Sequence, residues 1–286
     1  MTAAAAPARL SLRHSLALGL AQGPTELLPV SSSAHTTLIP FLLGWPYARL
    51  DGELRKSFEV ALHAGAGAAL ALDMRRELTD DLRSLDARRL ITAALALAPA
   101  ALAGLALGSS IERRLGGPRS IAAGLAGGGV AMAVADARAG RGGRSHEDAR
   151  PADGLALGLA QAVALVPGVS RYGATLTAGR ARGFSRGAAQ RLSWHAALPV
   201  MLGASALKAL HLVRSPPVAG SAAPLAAGAG AAFASTLLSA RVLHRSTAKR
   251  GSLLPYGVYR VLLAALVSAR VRGGATACAR SALRAQ

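Results

Sequence analysis

The chain has 286 residues, of which 52% are hydrophobic and only 16% charged, with a formal net charge of +19. Soluble domains carry about a quarter charged residues, so this composition, with its mean hydropathy of +0.35, excludes an ordinary soluble globular protein and points to the membrane. The positive charge does not indicate nucleic acid: 30 of the 33 basic residues are arginine amid abundant alanine and glycine, as a GC-rich genome gives, and 3% aromatics leave little for base stacking.

In chain order, apolar windows fall near 14–48, 58–72, 90–111, 120–135, 154–170, 192–213, 222–240 and 251–269. Arg9 and Arg13 before "LALGLA" imitate a signal peptide, but that segment recurs deep in the chain and reads as mature structure. Residues 90–111 and 215–240 hold no ionisable group over 22 and 26 residues, enough to cross a bilayer, which takes about 20 apolar residues. Between the windows stand Pro118, the Gly/Arg-rich stretch 136–153, "SPP" at 215–217 and Pro255. The single cysteine, Cys278, forms no internal disulfide.

The first and fifth windows are interrupted by proline and polar residues, and each opens on the same heptapeptide, "LALGLAQ", at 16–22 and 155–161. The likeness continues in order: "LLP" at 27–29 with "LVP" at 165–167, and "RKSFEVAL" at 55–62 with "RLSWHAAL" at 191–198. Each half therefore holds one broken segment and three spans, and an odd number of crossings inverts the second half. The expected fold is an all-α polytopic membrane protein of one domain over 1–286. It is an inverted-topology repeat (about 10–135 and 152–272) with about six transmembrane helices and two re-entrant helical hairpins. Irregular backbone at membrane depth must be buried in protein or line a wet cavity, so the two hairpins are expected to meet around one site. Loop arginines place 73–89, 136–153 and 241–250 in the cytoplasm and both termini outside.

The first broken segment offers Gln22, Glu26, Ser31, Ser32, Ser33 and His35. Gln22 and Glu26 are one turn apart, as nearly are Ser32 and His35. A Pro-Ser turn capping a helix accounts for the serines alone; an intramembrane carboxylate is costly and marks function. The second segment offers Ser170, Arg171 and Thr175 within "PGVSRYGAT", where a helix N-terminus and a guanidinium suit phosphate; the alternative is a structural Arg171–Glu26 pair. Glu59 is a possible addition to the site, Arg260 ties a helix to its neighbours, and Arg180, Arg182 and Arg186 are expected to snorkel towards headgroups. His63, on a Gly/Ala-rich helix, is expected to be a packing or inter-helix hydrogen-bonding residue. Glu, Ser, His and Arg converging at mid-membrane suit phosphoester or anhydride hydrolysis.

At "QGPTELLPVSSSAH", "FEVALHAG", "PGVSRYGATLTAGRARGFSRGAAQRLSWHAALPVMLGA" and, more weakly, "PYGVYRVLLAALV", the chain resembles the undecaprenyl-diphosphate phosphatase family, the bacitracin-resistance membrane phosphatases. The resemblance covers essentially the whole chain. It implies hydrolysis of undecaprenyl diphosphate to the monophosphate carrier used in cell-wall synthesis, a divalent cation (magnesium or calcium), and an active site opening to the outer face of the plasma membrane. By position, Glu26, Ser32, His35 and Arg171 match the family's functional residues; Gln22 stands where many members have glutamate, and Tyr172 where serine is usual. In the mechanism expected, Arg171, Ser170 and Thr175 hold the diphosphate, with Ser31, Ser33 and Gln22 beside it. Ser32 attacks with His35 as base, and Glu26 binds the cation or orients His35; His35 or water as nucleophile stays open. The other classes compatible with the sequence are an inverted-repeat transporter or lipid flippase and, third, an intramembrane serine protease. Partners expected are the polyprenyl diphosphate and membrane lipids, with a homodimer open and no nucleic acid.

Overall fold

A computed structural model describes residues 9–84, 86–140, 142–214, 220–246 and 251–284. Among these residues there is no β-strand, only an isolated bridge between Arg144 and Phe184. Eleven α-helices follow one another: α1 (Leu12–Leu27), α2 (Ser32–Leu43), α3 (Gly52–Asp73), α4 (Arg75–Arg83), α5 (Ala87–Leu115), α6 (Pro118–Ala139), α7 (Pro151–Val163), α8 (Arg171–Ala181), α9 (Arg186–Arg214), α10 (Ala222–Ser246) and α11 (Leu254–Arg284). Pro118 and Pro255 stand in the first turns of α6 and α11, where a missing N–H costs no intrahelical bond. The "SPP" breaker lies outside the described residues.

The chain is a polytopic membrane protein. Four helices, α5, α6, α10 and α11, are long and apolar enough to cross a membrane by length and composition. On α5 and α11 leucines face outward: Leu105 of α5 is 83% exposed, and Leu102, Leu262 and Leu266 are also exposed, whereas α6 buries Ile121, Leu125 and Met132. What α5 buries is Ala96 and Ala100. Small residues inside and leucine outside is the arrangement of helices packed within lipid, where backbones gain from close approach.

Both copies of LALGLAQ serve that close approach. Helix α1 lies along α10, and α7 lies along α5, so the first limb of each broken segment packs on a long helix from the other half of the chain. Gly19 is the contact in the first copy: a Cβ there would sit 2.5 Å from the Gly228 carbonyl oxygen. Gly158, the same position in the second copy, would bring a Cβ within 2.8 Å of the Pro99 ring and closer still to the Leu95 carbonyl oxygen. Ser235 of α10 fastens α1, accepting from the Gly23 amide and donating to the Gly19 carbonyl.

Three arginines differ from expectation. Arg180 is fully buried, donating to the Asp136 carboxylate at 2.9 Å, and Arg186 donates to the same carboxylate at 2.8 Å. Arg182 pairs with Asp153 at 2.7 Å, beside Arg144 at 2.8 Å. Arg180 and Arg186 are drawn inward because buried Asp136 requires counter-charges, whereas Arg182, its side chain 44% exposed, reaches buried Asp153 from the surface. Arg260 behaves as expected: one terminal nitrogen donates to the carbonyls of Gly124, Gly168 and Val169, tying α11 to α6 and to the turn before α8.

Candidate active site

Helix α1 ends at Leu27, and a short turn leads into α2 at Ser32; α7 ends at Val163, and a longer turn leads into α8 at Arg171. The residue before each second helix is a serine with positive φ, Ser31 at 76° and Ser170 at 67°. Among the described residues these are the two non-glycine residues in that region, which costs an L-residue roughly 1–3 kcal/mol and is retained where the surroundings impose it. The serines are 139 positions apart, the same offset as LALGLAQ. The strained turn is thus built twice, each time to swing a helix N-terminus onto the same place.

That place is a cavity of about 200 Å³ lined by Glu26, Ser31–Ser33, His63, Gln161, Ser170, Arg171 and Tyr172, with apolar walls from Ala100, Leu165 and Val200. The first amides of a helix have no intrahelical acceptor, and two such helix starts, those of α2 and α8, line one cavity. Ser170 caps α8 through its hydroxyl, which accepts from the Gly173 amide at 3.1 Å. Ser31 and Ser33 hydroxyls lie 3.4 Å apart.

Glu26 is the hub. One carboxylate oxygen faces Arg171 at 3.3 Å across the two halves of the chain; the other accepts from the Gln22 side-chain amide at 3.0 Å and lies 3.9 Å from His63 Nε2. Ser32 lines the same cavity as the Glu26 carboxylate. Beyond Glu26, the Arg171 guanidinium has no protein partner among the described residues, which leaves most of its five donors for a ligand.

Several expected site residues lie elsewhere. His35 does not line the cavity: Nδ1 is 2.7 Å from the Ser31 carbonyl and Nε2 is 2.7 Å from the Tyr259 hydroxyl, so both ring nitrogens are engaged away from Ser32. Gln22 is buried behind Glu26 and orients it, and Thr175 is fully buried with its hydroxyl on the Arg171 and Tyr172 carbonyls. Tyr172 reaches the cavity with its ring 4.5 Å from Trp194. Glu59 accepts from Tyr47 at 3.3 Å and lines a neighbouring cavity. The imidazole that does reach the site is His63, fixed by Nδ1 on the Glu59 carbonyl at 2.8 Å. The one sequence signal for it was its place four residues after Glu59 in "FEVALHAG".

A divalent cation can be weighed against these side chains. Among the described residues no cluster of three His, Cys, Asp or Glu exists to cage a metal. There is, however, one carboxylate amid hydroxyls, and the buried Gln22 Oε1 beside it has no hydrogen-bond partner. This donor set fits a hard cation that completes its shell with substrate phosphates, as magnesium commonly does.

Fold and site together define a class: a polytopic membrane protein with a cavity, lined by serine hydroxyls, Glu26 and the Arg171 guanidinium, between two broken segments. A family model described as "Bacitracin resistance protein BacA" matches residues 15–266. Similar curated proteins include the undecaprenyl-diphosphatase of Pelobacter propionicus, 41% identical over 88% of this chain and 94% of that protein. That of Geobacter metallireducens is 40% identical over 88% and 95%, and that of Geobacter sulfurreducens 38% over 91% and 98%. The chain belongs to this bacitracin-resistance family.

Proposed function

We propose that this protein hydrolyses undecaprenyl diphosphate to undecaprenyl phosphate and inorganic phosphate, returning the carrier lipid to cell-wall synthesis. The observation that carries the reading is the convergence of two helix N-termini, Arg171, Glu26 and Ser32 on one cavity. The relatives named for this activity match over nearly their whole length.

Arg171 and the free amides of α2 and α8 hold the terminal phosphate. Ser32 Oγ attacks its phosphorus, the hydroxyl proton passing to the Glu26 carboxylate of the same cavity, and the bridging P–O bond breaks with release of undecaprenyl phosphate. Water then attacks the phosphoserine phosphorus and the Oγ–P bond breaks; Ser32 Oγ takes back the proton held on Glu26, and both protons of the water leave on the phosphate as dihydrogen phosphate. Glu26 takes the base role expected of His35 because it lines the cavity with Ser32, whereas both His35 nitrogens are engaged, on the Ser31 carbonyl and the Tyr259 hydroxyl. Glu26 would also hold a divalent cation together with the phosphate oxygens, and that cation would supply charge neutralisation that one arginine cannot.

The membrane arrangement we infer counts α3 and α9, 22 and 29 residues long, as spans beside the four apolar helices. It makes α1–α2 and α7–α8 re-entrant hairpins of an inverted repeat in the bacterial plasma membrane. The shared Ser31/Ser170 geometry and the reciprocal packing of α1 on α10 and α7 on α5 support it. The arginine-rich loops 73–89 and 136–153 lie cytoplasmic and the cavity opens outward.

A detergent-solubilised preparation separates hydrolysis from transport, because a transporter has no second compartment to fill. The expected result is one phosphate per undecaprenyl phosphate formed, lost with chelator and restored by magnesium or calcium. Recovery of unaltered lipid diphosphate would favour a flippase; full activity in chelator would remove the cation.

A further inference from the structure

Beside the site cavity lies a second one of about 310 Å³, and His63 and Leu165 line both. Its walls come from two helices and the turn between α7 and α8. Helix α5 presents one stripe at four-residue spacing, which keeps residues on a common face. Ala100 stands at the site cavity, then Gly104 with Leu165 beside it, Gly108 in the second cavity, and Glu112 at its end. Helix α3 answers with His63 at the inner end, Glu59 and Val60 midway and Lys56 at the outer end. Lys56 Nζ and Glu112 Oε2 meet at 2.9 Å, each side chain 43% exposed, so the ion pair spans the outer end of the gap between α3 and α5.

The passage starts beside Arg171 and Glu26, runs past Leu165, Pro167, Val60 and Gly108, with Glu59 on its wall accepting from the Tyr47 hydroxyl, and reaches the loop ends of α3 and α5. A lipid diphosphate whose head sits at Arg171 must lead its chain out of the protein, and an apolar chain requires an apolar path. Gly108 leaves the path open, since a Cβ there would meet nothing within 4 Å. Resting on the hydrolase reading for the position of the head group, we infer that the passage between α3 and α5 holds the first isoprene units of the substrate, with Lys56–Glu112 above them at headgroup level. Gly108 then sets the preference for a long polyprenyl chain.

The test uses the full chain with Cys278→Ser. A thiol introduced as Gly108→Cys is labelled with a maleimide in the presence of undecaprenyl phosphate, which cannot turn over, or of inorganic diphosphate, which has no chain. The expected result is at least fivefold slowing by the lipid, none by inorganic diphosphate, and no effect of either on Leu105→Cys, which faces outward from the same helix. In parallel, Gly108→Leu is expected to lower kcat/KM for undecaprenyl diphosphate at least tenfold and to leave that for a five-carbon prenyl diphosphate within twofold. Slowing below twofold, equal slowing by inorganic diphosphate, or equal loss on both substrates would overturn the inference. If the unsubstituted chain releases no phosphate, the hydrolase reading fails, and thiol protection alone still decides whether the passage holds the chain.

Discussion

Substituting Arg171 by lysine separates the two roles this residue can have. The guanidinium gives one nitrogen to Glu26 at 3.3 Å and keeps its remaining donors for the cavity. Removing the charge would strand a carboxylate that is 94% buried, and breaking such a pair costs about 3–5 kcal/mol of stability. Lysine retains the charge, so the pair survives and the fold with it. What is lost is the planar fork, since an ammonium is a point charge that cannot hold two phosphate oxygens in fixed directions. Losing one directed transition-state donor costs a factor of about 10²–10³ in rate, or about 3–4 kcal/mol. Arg171→Lys is therefore expected to melt within a few degrees of the unsubstituted chain in detergent while kcat/KM for phosphate release falls at least a hundredfold. Activity within threefold, at unchanged stability, would mean that Arg171 serves only to neutralise Glu26.

Ser32→Ala is expected to abolish phosphate release without unfolding the chain, whereas Ser33→Ala loses less than tenfold; similar mild losses for both would return the serines to a capping role. Gly158→Ala drives a methyl into the Leu95 carbonyl and the Pro99 ring, so α7 and α5 must separate at a cost of about 1–3 kcal/mol; an unchanged melting temperature would refute the close-packing account. Asp153, at the loop end of α7, is buried, which raises its pKa, but hydrogen bonds from Arg144 and Arg182 outweigh this and hold it down to about 2. A depressed carboxylate contributes stability above its unfolded pKa, near 4, and that contribution fades as pH falls towards 2. With both arginines partly exposed, Asp153→Asn should cost about 1–2 kcal/mol at pH 7 and progressively less below pH 4. A pH-independent difference in melting temperature would contradict this.

The helical, membrane-spanning character was legible because charge-free windows of 22 and 26 residues leave few alternatives. The doubled motif also foretold that two broken segments meet, since Glu26 and Arg171 lie in the separate copies and pair across them. Local spacing failed where the decisive neighbour is remote in sequence. For His63, packing and inter-helix polar roles could not be told apart, because the carboxylate it faces is 37 positions earlier, on another helix. Ser32 and His35 are three apart, but the imidazole is turned away by Tyr259, 224 positions on. Thr175 has its hydroxyl spent on its own helix, as threonines in helices often do. Arg180 and Arg186 could not be told from interfacial arginines without knowing that Asp136 is buried beside them.

The most direct test uses undecaprenyl diphosphate labelled in its terminal phosphorus with ³²P, incubated with purified protein and magnesium in detergent. The label should appear as inorganic phosphate with the unsubstituted chain and remain in the lipid with Ser32→Ala, the two preparations being equally folded. Label retained in the lipid by both, or released equally by both, would contradict a hydrolase that acts through Ser32 at this cavity.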